Sequence, residues 1–281
     1  MHTETTDFNG TPCIRLHTDG ATALVALHGA HVLSWIPADG RERLFLSERV
    51  RLDGKSAIRG GVPVIFPQFS ERGTGPRHGF ARTLPWRFKG TQDEHAVFEL
   101  ASDERTAHWP HAFVATLHVA LSANAFALTL QVQNTGDTPF DFTAALHSYL
   151  RVDDIDATGL VGLQGCDYED SAAGGTLRRE DNYEVRFDGE TDRIYNDIVA
   201  PLLLRDGAHE TIIEQDGFVD TVVWNPGAAL AATIGDLAPN DYRHFACVEA
   251  GTVLQLQALA PGDHWSGTQR LTTNRWNPTY R

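Results

Sequence analysis

Residues 111–150 read HAFVATLHVALSANAFALTLQVQNTGDTPFDFTAALHSYL, three apolar-alternating runs separated by turn-forming residues at 122–124 and 134–139. In the middle run Phe126, Leu128, Leu130 and Val132 fall on one face, and Ala127, Thr129 and Gln131 on the other. That period of two belongs to a half-buried antiparallel strand, so the stretch predicts a β-meander. The third run divides the same way. Phe142, Ala144, Leu146 and Leu150 share one face, while Thr143, Ala145, His147, Tyr149 and Arg151 share the other.

Similar short runs lie at 22–27, 32–36, 212–213 with 219–224, and 245–259. No segment sustains the i, i+3, i+4, i+7 spacing of an amphipathic helix, so helix should be scarce. The 25 glycines and 13 prolines gather between the apolar runs as strand punctuation. The fold class expected is all-β, one large antiparallel β-sandwich domain over 1–281. No period of 20 to 50 residues is visible, which argues against a propeller or solenoid. Residues 47–79 differ from the rest, carrying many glycines and prolines with scattered Arg and His; long loops on a rigid sheet are where binding residues gather.

A net charge of -14 disfavours nucleic acid or an anionic membrane as the main partner, because both would be repelled at long range. Cys13, Cys166 and Cys247 are odd in number and lack CxxC spacing, so neither a disulfide framework nor a zinc knuckle is suggested. They read as three small buried residues of a reducing compartment. The first residues lack a basic stretch followed by an apolar run, and nowhere do about 18 apolar residues follow one another, so a cytoplasmic location is expected.

Chemistry-bearing residues are few. His147 sits on the face opposite Phe142 and Leu146, as a surface imidazole or as a titrating group facing a ligand. Glu249 interrupts the apolar run 245–251, as a carboxylate turned to water at a strand end or as a buried charge that needs partners. Arg59 precedes Gly60-Gly61, where bare backbone lets a ligand approach and a guanidinium can grip an oxyanion. Arg77, His78 and Arg82 make a second basic knot in an otherwise acidic chain, which points to a small anionic ligand. Each arginine taken alone also reads as an ordinary surface residue. The pairs His28/His31 and His108/His111 are not on helices, so their three-residue spacing does not make a metal site. Phosphate-loop, dinucleotide, nucleophile-elbow and zinc-protease motifs are absent. Trp35, Trp86, Trp109, Trp224 and Trp265 occur in strands and turns, where core packing and a sugar-stacking platform look the same, and core is the default for most of them.

Several blocks together carry a resemblance: Gly29 to Trp35, Ile58-Arg59-Gly60-Gly61-Val62-Pro63, His78-Gly79-Phe80-Ala81-Arg82, Leu146-His147-Ser148-Tyr149, Thr191-Asp192-Arg193, Val223-Trp224-Asn225-Pro226 and Val248-Glu249. In these the chain resembles the hexose-6-phosphate mutarotase (glucose-6-phosphate 1-epimerase) branch of the aldose 1-epimerase family, whose fold is a galactose-mutarotase-like β-sandwich. The resemblance implies an isomerase that interconverts the α and β anomers of an aldohexose 6-phosphate by acid-base ring opening at C1. It further implies His147 as acid, Glu249 as base, Arg59 and Arg82 as substrate and phosphate contacts, and Asp192 as a partner of sugar hydroxyls. Arg77 and His78, from the same basic knot, join the expected substrate-binding set, although family members often carry Gln or another small or polar residue at the position of Arg77. No cofactor or metal is expected, the partner is a small sugar phosphate, and the chain is expected to be a monomer. The residues alone leave room for a mutarotase of unphosphorylated aldoses, a non-catalytic carbohydrate-binding sandwich, or a glycosidase, which would need a second suitably spaced carboxylate.

Overall fold

In the computed structural model, which describes residues 1–275, the first two runs of the opening stretch pair as expected. Strands Phe113–Leu121 and Ala125–Asn134 are antiparallel neighbours with Phe113 opposite Asn134. The third run corrects the meander. Strand Phe140–Leu146 leaves its predecessor, crosses to another sheet and pairs there with Phe245–Leu259 and Val64–Ile65. The crossing is fixed by Asn134, whose buried side-chain amide donates to the carbonyls of Thr138 and Leu259 while its oxygen accepts from the Gly136 N–H. A polar residue that spends its side chain on the connection makes a corner where a tight hairpin would have kept the strands together.

Among the described residues there are sheets of four, eight and nine strands, all pairings within them antiparallel. The single α-helix is Gly227–Ala231, accompanied by short 3₁₀ turns. The eight- and nine-stranded sheets sandwich one apolar cluster, to which Phe142, Leu146 and Val248 contribute from one side and Leu117, Leu128 and Leu271 from the other. Phe142 and Trp265 touch edge-on across it, their ring centres 5.5 Å apart. The four-stranded sheet, residues 2–36, joins the same cluster by stacking Trp35 on Phe126 at 5.3 Å. The expected span of 1–281 includes six residues, 276–281, that lie outside the described ones. Of the cysteines, Cys13 and Cys247 are buried, but Cys166 is only half-buried, at the end of a surface turn.

The register of the eight-stranded sheet builds the site. Leu146 pairs with Ala250 and Tyr149 with Cys247, so the residues between them stand as His147 opposite Glu249 and Ser148 opposite Val248. On the next strand Val222 pairs with Glu249 and Trp224 with Cys247, and beyond it Ile194 pairs with Val222 and Asp192 with Trp224. Two rows therefore cross four strands on one face: Ile194, Val222, Glu249, His147, and Asp192, Trp224, Cys247, Tyr149. Because the side-chain period is two, Phe142, Leu146, Ala246 and Val248 point the other way, into the core.

Candidate active site

Six residues of the two rows, all but Cys247 and Tyr149, floor a cleft of about 770 Å³. Its walls come from the loop segment between residues 58 and 86 and from the helix Gly227–Ala231 with the turn after it, and they bring Arg59, Arg77, His78 and Arg82 over the floor. All seven residues singled out in the sequence, His147, Glu249, Arg59, Arg77, His78, Arg82 and Asp192, line this one space. A volume of this size suits a phosphorylated monosaccharide.

Glycine geometry lets the walls come so close. Gly61 has φ +61°, and a Cβ there would lie 2.1 Å from the Val32 carbonyl oxygen; at Gly79, with φ +67°, it would lie 2.1 Å from that of Phe66. Only a residue without a side chain can take either place. His31 seats the first turn from beneath, fully buried, with Nε2 2.7 Å from the Gly60 carbonyl oxygen. Burial, foremost, holds His31 down to about 3, so it is a neutral structural donor. His28 likewise spends Nε2 on the Ser56 carbonyl, so this histidine pair serves the loop.

His147 Nδ1 lies 3.2 Å from Glu249 Oε1. The two are off the line of a hydrogen bond, and Nδ1 and the other carboxyl oxygen, Oε2, are both buried without a partner among the described residues. Tyr149 stacks on the imidazole with its centre 4.8 Å away and planes 7° apart, while Trp224 meets the ring edge-on at 5.9 Å. The His147 N–H is held by the Pro63 carbonyl. The ring is thus fixed in plane and position while its polar edge faces the carboxyl.

Burial, first, raises Glu249 well above the ordinary carboxyl range, and Asp192 adds to it. Burial also lowers His147 well below the ordinary imidazole value, with His78, Arg82 and Arg59 adding to the effect. Both directions favour uncharged groups in the ligand-free cleft. An imidazolium at His147 needs a nearby negative charge, from Glu249 or from a bound anion. The arginines around the ring oppose that, so an incoming anion has to supply the missing negative charge.

The basic wall is short of anions. Arg59 is anchored, with Nε donating to Asp236 at 3.0 Å and Nη1 donating to the Tyr149 hydroxyl at 3.0 Å. Arg82 donates to the Arg77 carbonyl at 2.9 Å, and its buried Nε has no partner among the described residues. Burial and then the like charges of Arg59 and Arg77 hold Arg82 down to about 10. His78, in the left-handed region at φ +63°, accepts the Ser70 N–H on Nδ1, so its proton sits on Nε2. Burial and then Arg82 and Arg77 push it down to about 3. Across the cleft Asp192 is pushed up to about 6 by burial and then by Glu190.

Tyr149, Trp224 and Asp236 were missed as working parts by residue-by-residue reading. Trp224 was assigned to core by default, yet it lines the cleft. Tyr149 stands two residues after His147 and Trp224 directly precedes Asn225-Pro226, but what this places beside the imidazole is legible only once the strand register is known. For Asp236, far from Arg59 in sequence, there was none.

A family model described as aldose 1-epimerase matches residues 12–272. A protein of Cenchrus ciliaris named "Putative glucose-6-phosphate 1-epimerase" is 32% identical over 267 residues, covering 89% of this chain and 80% of its own length. One of the same name from Escherichia coli (strain K12) is 35% identical over 249 residues, covering 84% of this chain and 82% of its own. The crystal structure of "a putative mutarotase (YeaD)" from Salmonella typhimurium superposes with a TM-score of 0.88 at 29% identity, covering 97% of this chain and 94% of that one. With a family match over nearly its whole length and relatives above 30% identity, the chain belongs to the aldose 1-epimerase family.

Proposed function

We propose that the chain interconverts the α and β anomers of an aldohexose 6-phosphate, glucose 6-phosphate foremost, by general acid-base ring opening and reclosure at C1. The observation that carries this is an imidazole 3.2 Å from a buried carboxyl beneath a basic wall in which, among the described residues, Arg77 and Arg82 have no carboxylate partner. Relatives named for glucose 6-phosphate support the choice of sugar.

Opening a pyranose takes a proton from the C1 hydroxyl and gives one to the ring oxygen. Glu249 takes the first and His147 supplies the second, so one proton passes through the pair and no free charge builds up. The open aldehyde then faces neutral His147 and protonated Glu249, the forms that burial favours. Rotation about C1–C2 and the reverse transfers close the ring as the other anomer. Opening needs the opposite distribution. The phosphate draws the proton towards His147, and the Arg82 charge stabilises the Glu249 carboxylate. Arg59, Arg77 and Arg82 hold the phosphate, with the His78 Nε2–H beside them, and Asp192 accepts from sugar hydroxyls across the cleft. The apolar cluster running through all three sheets supports a single domain; in this reading that domain acts as a monomer, in the cytoplasm, on a small sugar phosphate.

Exchange NMR on glucose 6-phosphate tests this reading. Added protein should produce α/β exchange cross-peaks at mixing times where buffer alone shows none, and more weakly for glucose. Equal enhancement of both sugars would favour a mutarotase of free aldoses, and tight binding without exchange would favour a carbohydrate-binding module.

A further inference from the structure

Two polar residues interrupt the apolar face that the site's strands turn towards the core. Ser148 falls between Leu146 and Leu150 in the inward row, and it is fully buried. On strand His264–Arg275 of the nine-stranded sheet, Gln269 falls between Gly267 and Leu271 in another inward row and is 2% exposed. An amide or hydroxyl placed there without partners would leave its desolvation uncompensated. Each finds its partner in the other. Ser148 Oγ donates to Gln269 Oε1, and Gln269 Nε2 donates to the Val248 carbonyl at 2.9 Å. The Val248 N–H in turn donates to the Ser148 carbonyl at 3.2 Å, closing a ring through two sheets.

The ring's position gives it meaning. Ser148 directly follows His147, and Val248 directly precedes Glu249. Ladder pairing is interrupted here, since strand Phe140–Leu146 has ended and Tyr149–Arg151 has not begun. The Ser148 N–H turns back to the Leu146 carbonyl instead of bonding across. The two residues proposed to exchange protons with the sugar thus project from the stretch of sheet where regular pairing gives least control of their separation. The described contacts supply that control from behind the sheet.

We propose that Gln269, acting with Ser148, is a positioning residue that sets the spacing of His147 and Glu249 by clamping their strands from the core side. This rests on the acid and base roles given above. Since neither residue touches the cleft, the clamp acts on turnover and leaves ground-state binding alone. A displacement of about 1 Å in such a pair costs on the order of a hundredfold, so partial loosening should cost about tenfold in kcat.

The test compares kcat and KM for glucose 6-phosphate anomerisation in full-length wild type, Gln269→Met, Ser148→Ala and Ser148→Thr. Gln269→Met keeps the side-chain length but neither hydrogen bond. Ser148→Ala, the smaller change, carries the test should Gln269→Met fail to fold by circular dichroism. Expected are kcat losses of about tenfold in the first two variants with KM within twofold, recovery in Ser148→Thr, and a double variant no worse than the worse single one. The His147 ring ¹⁵N shifts should move in Gln269→Met and Ser148→Ala and return in Ser148→Thr. Normal kcat in folded Gln269→Met and Ser148→Ala, or a loss that Ser148→Thr does not repair, overturns the clamp. A wild type without exchange activity overturns the function itself, and unmoved ring shifts in both variants would then overturn the clamp separately.

Discussion

His147 and Glu249 are cross-strand neighbours: the register that pairs Leu146 with Ala250 and Tyr149 with Cys247 sets them face to face, and their polar atoms approach to 3.2 Å. The register makes them opposite, and directly opposed residues have Cβ atoms about 4.5–5.5 Å apart; pairing lapses at 147–148, so the fine spacing is left to other contacts. A hundred residues of intervening chain are immaterial once that register forms.

A pair that shares one proton should fail as a unit. His147→Ala and Glu249→Gln should each lower the glucose 6-phosphate exchange rate by about 10²- to 10⁴-fold, and the double variant little further, because groups acting together are not additive. Exchange NMR measures all three, with circular dichroism checking the fold. Multiplicative losses would show two independent contributors.

The pH profile should be bell-shaped, and its limbs belong to the pair. A second proton must go to His147, whose affinity is lowered from 6.5 by burial and by the cations beside it, so the acid limb moves down. The last proton leaves Glu249, raised from 4.5 by burial and Asp192, so the alkaline limb moves up. Arg82 lowers both groups, hence Arg82→Gln should shift both limbs to higher pH. The substrate's own second phosphate ionisation, at about 6, is common to both enzymes and cancels in the comparison of kcat/KM profiles. Limbs that move in opposite directions would remove Arg82 from the electrostatics of the pair.

Arg59 should distinguish the phosphorylated sugar from the free one. A charge-assisted hydrogen bond contributes about 1.5–3 kcal/mol, so Arg59→Ala should raise KM for glucose 6-phosphate by roughly ten- to a hundredfold, with less than about threefold for glucose. Asp236→Asn, which takes the charge from the anchor of Nε while leaving an acceptor oxygen, should show a weaker form of the same selectivity. Initial rates on both sugars test this. Equal losses would mean that Arg59 holds the ring and not the phosphate.

How much of this was readable beforehand follows from what each feature depends on. Strand alternation is local, so the faces of 126–132 and 142–150 were legible and His147 was placed opposite the core correctly. Sheet membership is not local. The crossing at Asn134 depends on a hydrogen bond to Leu259, and nothing in 134–139 distinguishes it from a hairpin. Glu249 stood out as a carboxylate in an apolar run, but its partner depended on a register that pattern does not give. Both faces of that strand turned out to be buried, one by the opposing sheet and one by the loops after residue 58, so a polar residue away from the core did not mean a solvated one. The arginines stood out as a basic knot in an acidic chain and beside Gly60-Gly61, while their division of roles, Asp192 and the role of the catalytic pair came from resemblance. Gln269 needed only the observation that an amide occupied an inward position, though what it bridged lay in another sheet.

Gly79 links the basic wall to the sheet, and its cost can be separated from that of an ordinary glycine. Gly79→Ala places a methyl 2.1 Å from the Phe66 carbonyl oxygen at φ +67°, whereas Gly10→Ala, at φ +85°, meets nothing within 4 Å. Strain in the left-handed region costs of order 1–3 kcal/mol in either case, and only Gly79→Ala adds a backbone clash. Urea unfolding should give a loss at least about 2 kcal/mol larger for Gly79→Ala. Similar losses would mean that the loop yields freely.

His31 should make the foundation of the Arg59 loop sensitive to acid. In the folded chain it is held down to about 3, against 6.5 for an ordinary imidazole, mainly by burial. Its neutral form is what the fold accommodates, so the contribution is fully present above pH 6.5. As pH falls below 6.5 the unfolded chain takes up a proton that the native chain refuses, and stability is lost by about 1.4 kcal/mol per pH unit until about pH 3 is reached. His78 and the raised carboxyls titrate too, so the wild-type curve alone does not isolate this group. The difference between wild type and His31→Asn does, since every other group is common to both. Urea unfolding of the two at pH 7.5 and 5.0 should show the wild-type advantage shrinking by about 2 kcal/mol. Parallel stability curves over that range would mean that the buried ring accepts a proton in the native state, and the neutral seat beneath Gly60 would have to be abandoned.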